Sequence, residues 1–175
     1  LDIQRRADGS QYPELVLEKS LDREDQNVHR LILTATDGGD PVRSGTAQIH
    51  INVLDYNDNA PVFNQSLYKF VVPENVHTGT VVGTVRATDT DQGPNSEITY
   101  SFIKIKDMAL KKFKLNSTTG QLYLTEQLDF EEFEYYEFEL QGSDGVLSSR
   151  CKVLIEVLNV NDNIPEIFIS SLLNG

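Results

Sequence analysis

Carboxylates dominate the side chains of this sequence that could do chemistry, and they come in groups. They stand in Asp22-Arg23-Glu24, in Asp55-Tyr56-Asn57-Asp58-Asn59, in Asp89-Thr90-Asp91 and at Asp144. In an extended segment, an Asp-x-Asp spacing puts both side chains on the same side. Two carboxylates about 4 Å apart repel by roughly 4 kcal/mol at an effective dielectric near 20. Several such pairs meeting in one place would need a cation. The donors are all oxygens, which suits calcium with its roughly 6–8 oxygen ligands and flexible geometry. Zinc does not fit, because the single Cys and the three His (His29, His50 and His77) are scattered.

One calcium motif fails on inspection. Asp89-Thr90-Asp91-Gln92-Gly93-Pro94 begins like an EF-hand loop. Its fifth position is Gly93, its sixth is Pro94 rather than Gly, and its twelfth is Tyr100 rather than Glu. Catalysis has no candidates either: neither a nucleophile beside a base nor an acid pair beside a cleft can be named.

Composition narrows the class further. The 175 residues carry 27 acids against 15 bases, a formal charge of −12. That balance argues against binding to phosphate backbones or adsorption to anionic membranes, which require a basic face. Hydrophobic residues make up 39%, enough for a core, so the chain is not a disordered tail. No apolar run approaches the ~18 residues of a membrane span. One Cys forbids an internal disulfide, and Cys151 is expected as a buried, unpaired thiol. The N-terminus has neither an initiator Met nor a signal-peptide pattern, and reads as an excerpt of a longer mature chain.

The elements that position the acids follow from a repeat. Leu21-Asp22-Arg23-Glu24 matches Leu128-Asp129-Phe130-Glu131 at an offset of 107, and Leu17/Leu124 and Asp37/Asp144 keep it. Asn57-Asp58-Asn59-Ala60-Pro61 then matches Asn161-Asp162-Asn163-Ile164-Pro165 at 104, because the loop 38–45 shortens to 145–149. Residues 60–163 therefore read as one complete repeat, 1–59 as the C-terminal half of another, and 164–175 as the start of a third. A lone half-repeat would leave a sheet face uncovered and is not expected to fold independently.

Within the repeats the apolar period is two. Ala47, Ile49, Ile51 and Val53 alternate with polar residues, and Cys151, Val153, Ile155 and Val157 do likewise. Leu31, Leu33 and Ala35 predict another strand, matched by Phe138 and Leu140. Further strands are predicted over 66–72, ending at Pro73, over 80–87 and over 97–104, with Gly93-Pro94-Asn95 as a turn. No segment holds a helical period long enough for a substantial helix. Short strands between turn residues predict an all-β, antiparallel sandwich.

Asp-Arg-Glu, Asp-x-Asn-Asp-Asn-Ala-Pro, Pro-Glu-Asn, Asp-x-Asp and a strand ending in Ala-x-Asp, in this order and spacing, resemble extracellular cadherin repeats across the whole chain. Tyr12-Pro-Glu-Leu-Val-Leu-Glu-Lys-Ser-Leu-Asp-Arg-Glu24 is similar to the second repeat of clustered protocadherins, and the next repeat resembles their third. The resemblance implies tandem Greek-key β-sandwiches joined end to end by linkers that bind three calcium ions. Carried over, the ligands are Asp22 and Glu24, then Asp55, the Tyr56 carbonyl and Asp58. They continue with Asn57, the Asn59 carbonyl, Asp89, Asp91 (bridging two ions), the Asn95 carbonyl and Asp144. At the next linker they are Glu74, Asp129, Glu131, Asn159 and Asp162, with Asn159 where the first linker has Asp55. Asp37 would serve an upstream linker.

The same resemblance implies calcium-dependent homophilic cell–cell adhesion, with a second copy in trans, antiparallel, and cis partners of the same family. The chain would be the extracellular part of a single-pass plasma-membrane protein, attached to the membrane through a segment it does not contain. Specificity would lie in exposed residues such as those on 46–52 or in 38–45. The alternative is a calcium-rigidified spacer without partner recognition. The sequons Asn64-Gln65-Ser66 and Asn116-Ser117-Thr118 make Asn64 and Asn116 candidates for glycosylation.

Overall fold

Alternation becomes burial most clearly in strand β13 (Ser148–Leu158), where Cys151, Val153, Ile155 and Val157 are buried while Lys152 and Glu156 face out. The structure is a computed structural model that describes residues 2–162. It divides into two compact units, Leu1–Tyr56 and Asn57–Gly175. The proposed third-repeat segment 164–175 lies outside the described residues.

The second unit is a sandwich. One sheet orders β6 (Leu67–Pro73), β13, β12 (Tyr135–Ser143) and β9 (Thr99–Lys104). The other orders β10 (Phe113–Leu115), β11 (Gln121–Leu124) and β7 (Val81–Thr84). A short pair joins β5 (Val62–Phe63) to β8 (Ala87–Thr88). The inward faces meet in one core that includes Val85, Phe113, Leu122, Leu124, Phe138, Leu140, Val153 and Ile155. Phe113 anchors it, packing edge-on against Tyr136 and tilted against Phe138, with ring centroids 5.2 and 5.9 Å apart.

Three details depart from the sequence reading. The sandwich is not wholly antiparallel: β6 runs parallel to β13, from Lys152↔Leu67 to Leu158↔Pro73. β6 is an edge strand there, so Pro73, which has no N–H to donate, can close it without breaking a central ladder. The run 80–87 splits into β7 and β8. Between them Val85 is fully buried, and its N–H donates to the Gly120 carbonyl at 3.0 Å instead of continuing a ladder. A six-residue helix, α1 (Asp107–Lys112), precedes β10 and buries only Ala109.

The first unit holds two hairpins. β1 (Asp2–Arg5) pairs with β2 (Gln11–Glu14), and β3 (Val28–Thr36) pairs with β4 (Ser44–Asn52). The register puts Leu31 opposite Ile49 and Leu33 opposite Ala47, on the apolar face read from the sequence. Leu15, Val16, Leu17, Leu21, His29, Leu31 and Ile51 line an open apolar groove of about 340 Å³ on this unit. His29 is therefore half-buried, whereas His50 and His77 are exposed.

Candidate metal centre

In the second unit, Asp89 follows β8, Asp91 enters the turn before β9, and Asp144 follows β12. One carboxylate oxygen from each lies within 4.8 Å of the other two. Local hydrogen bonds fix each group. Asp89 Oδ1 accepts the Asp91 N–H at 2.9 Å, and Asp144 Oδ1 accepts the Val146 and Leu147 N–H groups, both at 2.7 Å. Asn59 donates its backbone N–H to Asp91 Oδ2 at 3.3 Å and its side-chain amide to Asp91 Oδ1 at 2.8 Å. The same amide donates to Asp58 Oδ1 at 2.8 Å. Burial works to raise the Asp144 pKa, but the bonds from the Val146 and Leu147 N–H groups pull it down, and its carboxyl sits below the usual range. Asn95 lies in the 3-10 turn Gly93–Ser96.

The donor set suits a hard cation. Asp89 Oδ2, Asp144 Oδ2 and Asn57 Oδ1 are buried oxygens without a hydrogen-bond partner among the described residues. Asp91 is only 7% exposed. Buried polar atoms are normally satisfied, and orphaned oxygens beside clustered carboxylates match calcium's preference for oxygen ligands.

A second group stands at the other end of the same sheet. Register places it there: β6 and β13 finish together at Pro73 and Leu158, whereas Ser143 and Ser148 pair at the end nearer Asp144. Oxygens of Glu74, Glu131 and Asp162 lie within 4.8 Å of one another. Glu74 is 3% exposed; its Oε2 accepts the Phe130 N–H at 2.8 Å and its Oε1 the Val160 N–H at 2.5 Å. Asn159 Nδ2 donates to Glu131 Oε1 at 3.4 Å. Asp129 Oδ1 is used locally, accepting the Glu132 N–H at 3.1 Å, and Asp129 is not one of the three clustered groups.

In the first unit, Asp22 Oδ1 accepts the Glu24 and Asp25 N–H groups at 2.9 and 3.2 Å, and Tyr56 is exposed. Arg23 forms ion pairs with both Glu24 and Asp55, the latter from Nε to Oδ1 at 2.5 Å. Sequence reading gave Arg23 no role; the signal was a cation set between two acids where the second repeat has Phe130.

The two sequons differ in setting. Asn64 is exposed just after β5. Asn116 turns the chain between β10 and β11, its Oδ1 accepting the Thr118 and Thr119 N–H groups at 3.0 Å each. Cys151 is free and 3% exposed.

A β-sandwich carrying oxygen-donor clusters at both ends of its main sheet matches the cadherin domain, which aligns over residues 5–54 and 68–158. The chain belongs to the cadherin family. It is 54% identical over 173 residues to human (Homo sapiens) protocadherin gamma-A10, a match covering 98% of this chain and 18% of that protein. Among solved structures it resembles protocadherin gamma B2 extracellular cadherin domains 1–5, with a TM-score of 0.92 and 42% identity, covering 98% of this chain and 33% of that one. It also resembles the cis-dimer structure of protocadherin gammaB7 EC3-6, with a TM-score of 0.87 and 33% identity, covering 98% and 42%. The chain thus spans about a fifth of the curated relative's length. The solved relatives are named as extracellular cadherin domains, and the cadherin family is one of adhesion proteins rather than enzymes. Among the described residues no helix is long and apolar enough to cross a membrane.

Proposed function

We propose that this chain takes part in calcium-dependent, homophilic cell–cell recognition. The observation that carries the calcium part is the trio of buried Asp91 with half-buried Asp89 and Asp144, and the orphaned oxygens on Asp89 and Asp144. Asn57, Asp58, Asn59 and Asn95 complete that unit's donors, and Asp22, Glu24, Asp55 and the Tyr56 carbonyl are the first unit's. Glu74, Asp129, Glu131, Asn159 and Asp162 form a further set. When bound, calcium supplies the positive charge that lets these carboxylates stand together. The residues themselves do the positioning: Asn59 orients Asp91, and the Val146 and Leu147 N–H groups orient Asp144.

Recognition would use surfaces other than the ligands, whose oxygens are committed to the ions. Residues 38–45 are all exposed, as are Thr46, Gln48, His50 and Asn52. The partner is a second copy in trans, antiparallel. The gammaB7 cis-dimer supports same-family cis partners as well. Asn64 and Asn116 are the proposed glycan sites. The setting is the extracellular part of a single-pass plasma-membrane protein.

The test exchanges exposed residues of both units for those of a close relative, with every ligand retained, in the full-length protein on cells. Partner choice in aggregation should change. Unchanged choice after exchanges across both units favours the spacer reading.

A further inference from the structure

The ion pairs of Arg23 bear on how strongly the first unit's ligands attract calcium. Its guanidinium meets Glu24 through Nη2 and Asp55 through Nε, the latter at 2.5 Å. This is not a loose surface contact: the side chains of Arg23, Glu24 and Asp55 are 14%, 24% and 16% exposed. A planar guanidinium with donors on two edges can hold two carboxylates at once.

The chain carries its own comparison. At the offsets that relate the repeats, Arg23 corresponds to Phe130, Glu24 to Glu131 and Asp55 to Asn159. Both charges are exchanged together. Arg23, Glu24 and Asp55 sum to −1, and so do Phe130, Glu131 and Asn159. The contact is exchanged too: Glu24 Oε1 accepts from Arg23, whereas Glu131 Oε1 accepts from Asn159 Nδ2 at 3.4 Å. Phe130 takes the apolar course and packs against the core.

We propose that Arg23 is an internal counter-ion that holds Glu24 and Asp55 when calcium is absent and lowers calcium affinity when it is present. It offsets the charge of Asp55, so the two ligand sets are closer in strength than Asp55 against Asn159 suggests. This rests on the calcium reading above. A guanidinium and a divalent ion about 6 Å apart in a water-like dielectric repel enough to change a dissociation constant on the order of tenfold.

The experiment is a calorimetric calcium titration of this chain and four variants. Arg23→Phe should tighten binding by up to about tenfold, and Asp55→Asn should weaken it by a similar factor. The double variant should return to within about threefold of the unsubstituted chain. Arg23→Lys, which keeps the charge, should bind like the unsubstituted chain. The direction separates charge from structure, since loss of a merely structural arginine would loosen the site. Thermal unfolding in chelator is the second readout, and Arg23→Phe should lower the midpoint there but not in calcium. If the unsubstituted chain binds calcium and Arg23→Phe binds equally or more weakly, the role of Arg23 is overturned while the calcium reading stands. If the unsubstituted chain takes up no calcium, both are overturned.

Discussion

Asn59 grips Asp91 twice, with its backbone N–H on Oδ2 at 3.3 Å and its side-chain amide on Oδ1 at 2.8 Å. A residue 32 positions away in sequence thereby sets the orientation of a buried carboxylate. Asp91→Ala should remove a ligand and release this clamp, weakening calcium binding at least tenfold. Asp40→Ala, in an exposed turn, should leave it unchanged. Calorimetric titration of both variants checks the contrast, and equal affinities would refute the ligand assignment.

Asn159 and Phe130 offer the reciprocal test of charge balance. Asn159→Asp, in a protein that continues into its following repeat, should tighten calcium binding at that end. Adding Phe130→Arg should cancel most of the gain, as Arg23 does beside Asp55. A double variant as tight as Asn159→Asp alone would mean that an arginine there leaves affinity untouched.

Gly120 is required by geometry. Its φ is +68°, and a Cβ would lie 2.3 Å from the Val85 carbonyl oxygen, which belongs to the backbone and cannot swing aside. Gly120→Ala should cost about 2 kcal/mol or more. Denaturant unfolding followed at fixed calcium measures this, and a loss below about 0.5 kcal/mol would contradict the packing described.

Burial pushes the Cys151 thiol from its ordinary 9.0 up to about 11. The folded state thus holds its proton where the unfolded chain has lost it. Its contribution to stability is complete below pH 9 and is lost as pH rises through about 11. At pH 8 a thiol reagent should react with the chain only after unfolding. Prompt reaction of the native protein would show that Cys151 is accessible.

Much of this was legible in the sequence, for physical reasons. The alternation at Cys151, Val153, Ile155 and Val157 became burial because one face of β13 packs on the opposite sheet. The grouping of Asp89, Asp91 and Asp144 was readable from their motifs, and the fold brings one oxygen of each within 4.8 Å of the other two. Other features depended on partners distant in sequence. The break between β7 and β8 is set by Gly120 and by the Tyr68 and Tyr100 hydroxyls, which bond Arg86 and Ala87. The parallel pairing of β6 is set by β13, which lies far along the chain. The helix α1 is too short to show a period. Arg23 lay inside a motif already read as calcium-binding, and only its contact with Asp55 gives it a separate role.

The central claim, that Asp89, Asp91 and Asp144 hold calcium, is tested most directly by calorimetric titration of this chain beside the double variant Asp89→Asn/Asp144→Asn. The account predicts saturable calcium uptake by the unsubstituted chain at about 10⁻⁴–10⁻³ M, in the range of extracellular modules, and uptake weakened at least tenfold in the variant. Absence of uptake, or equal uptake by both proteins, would contradict it.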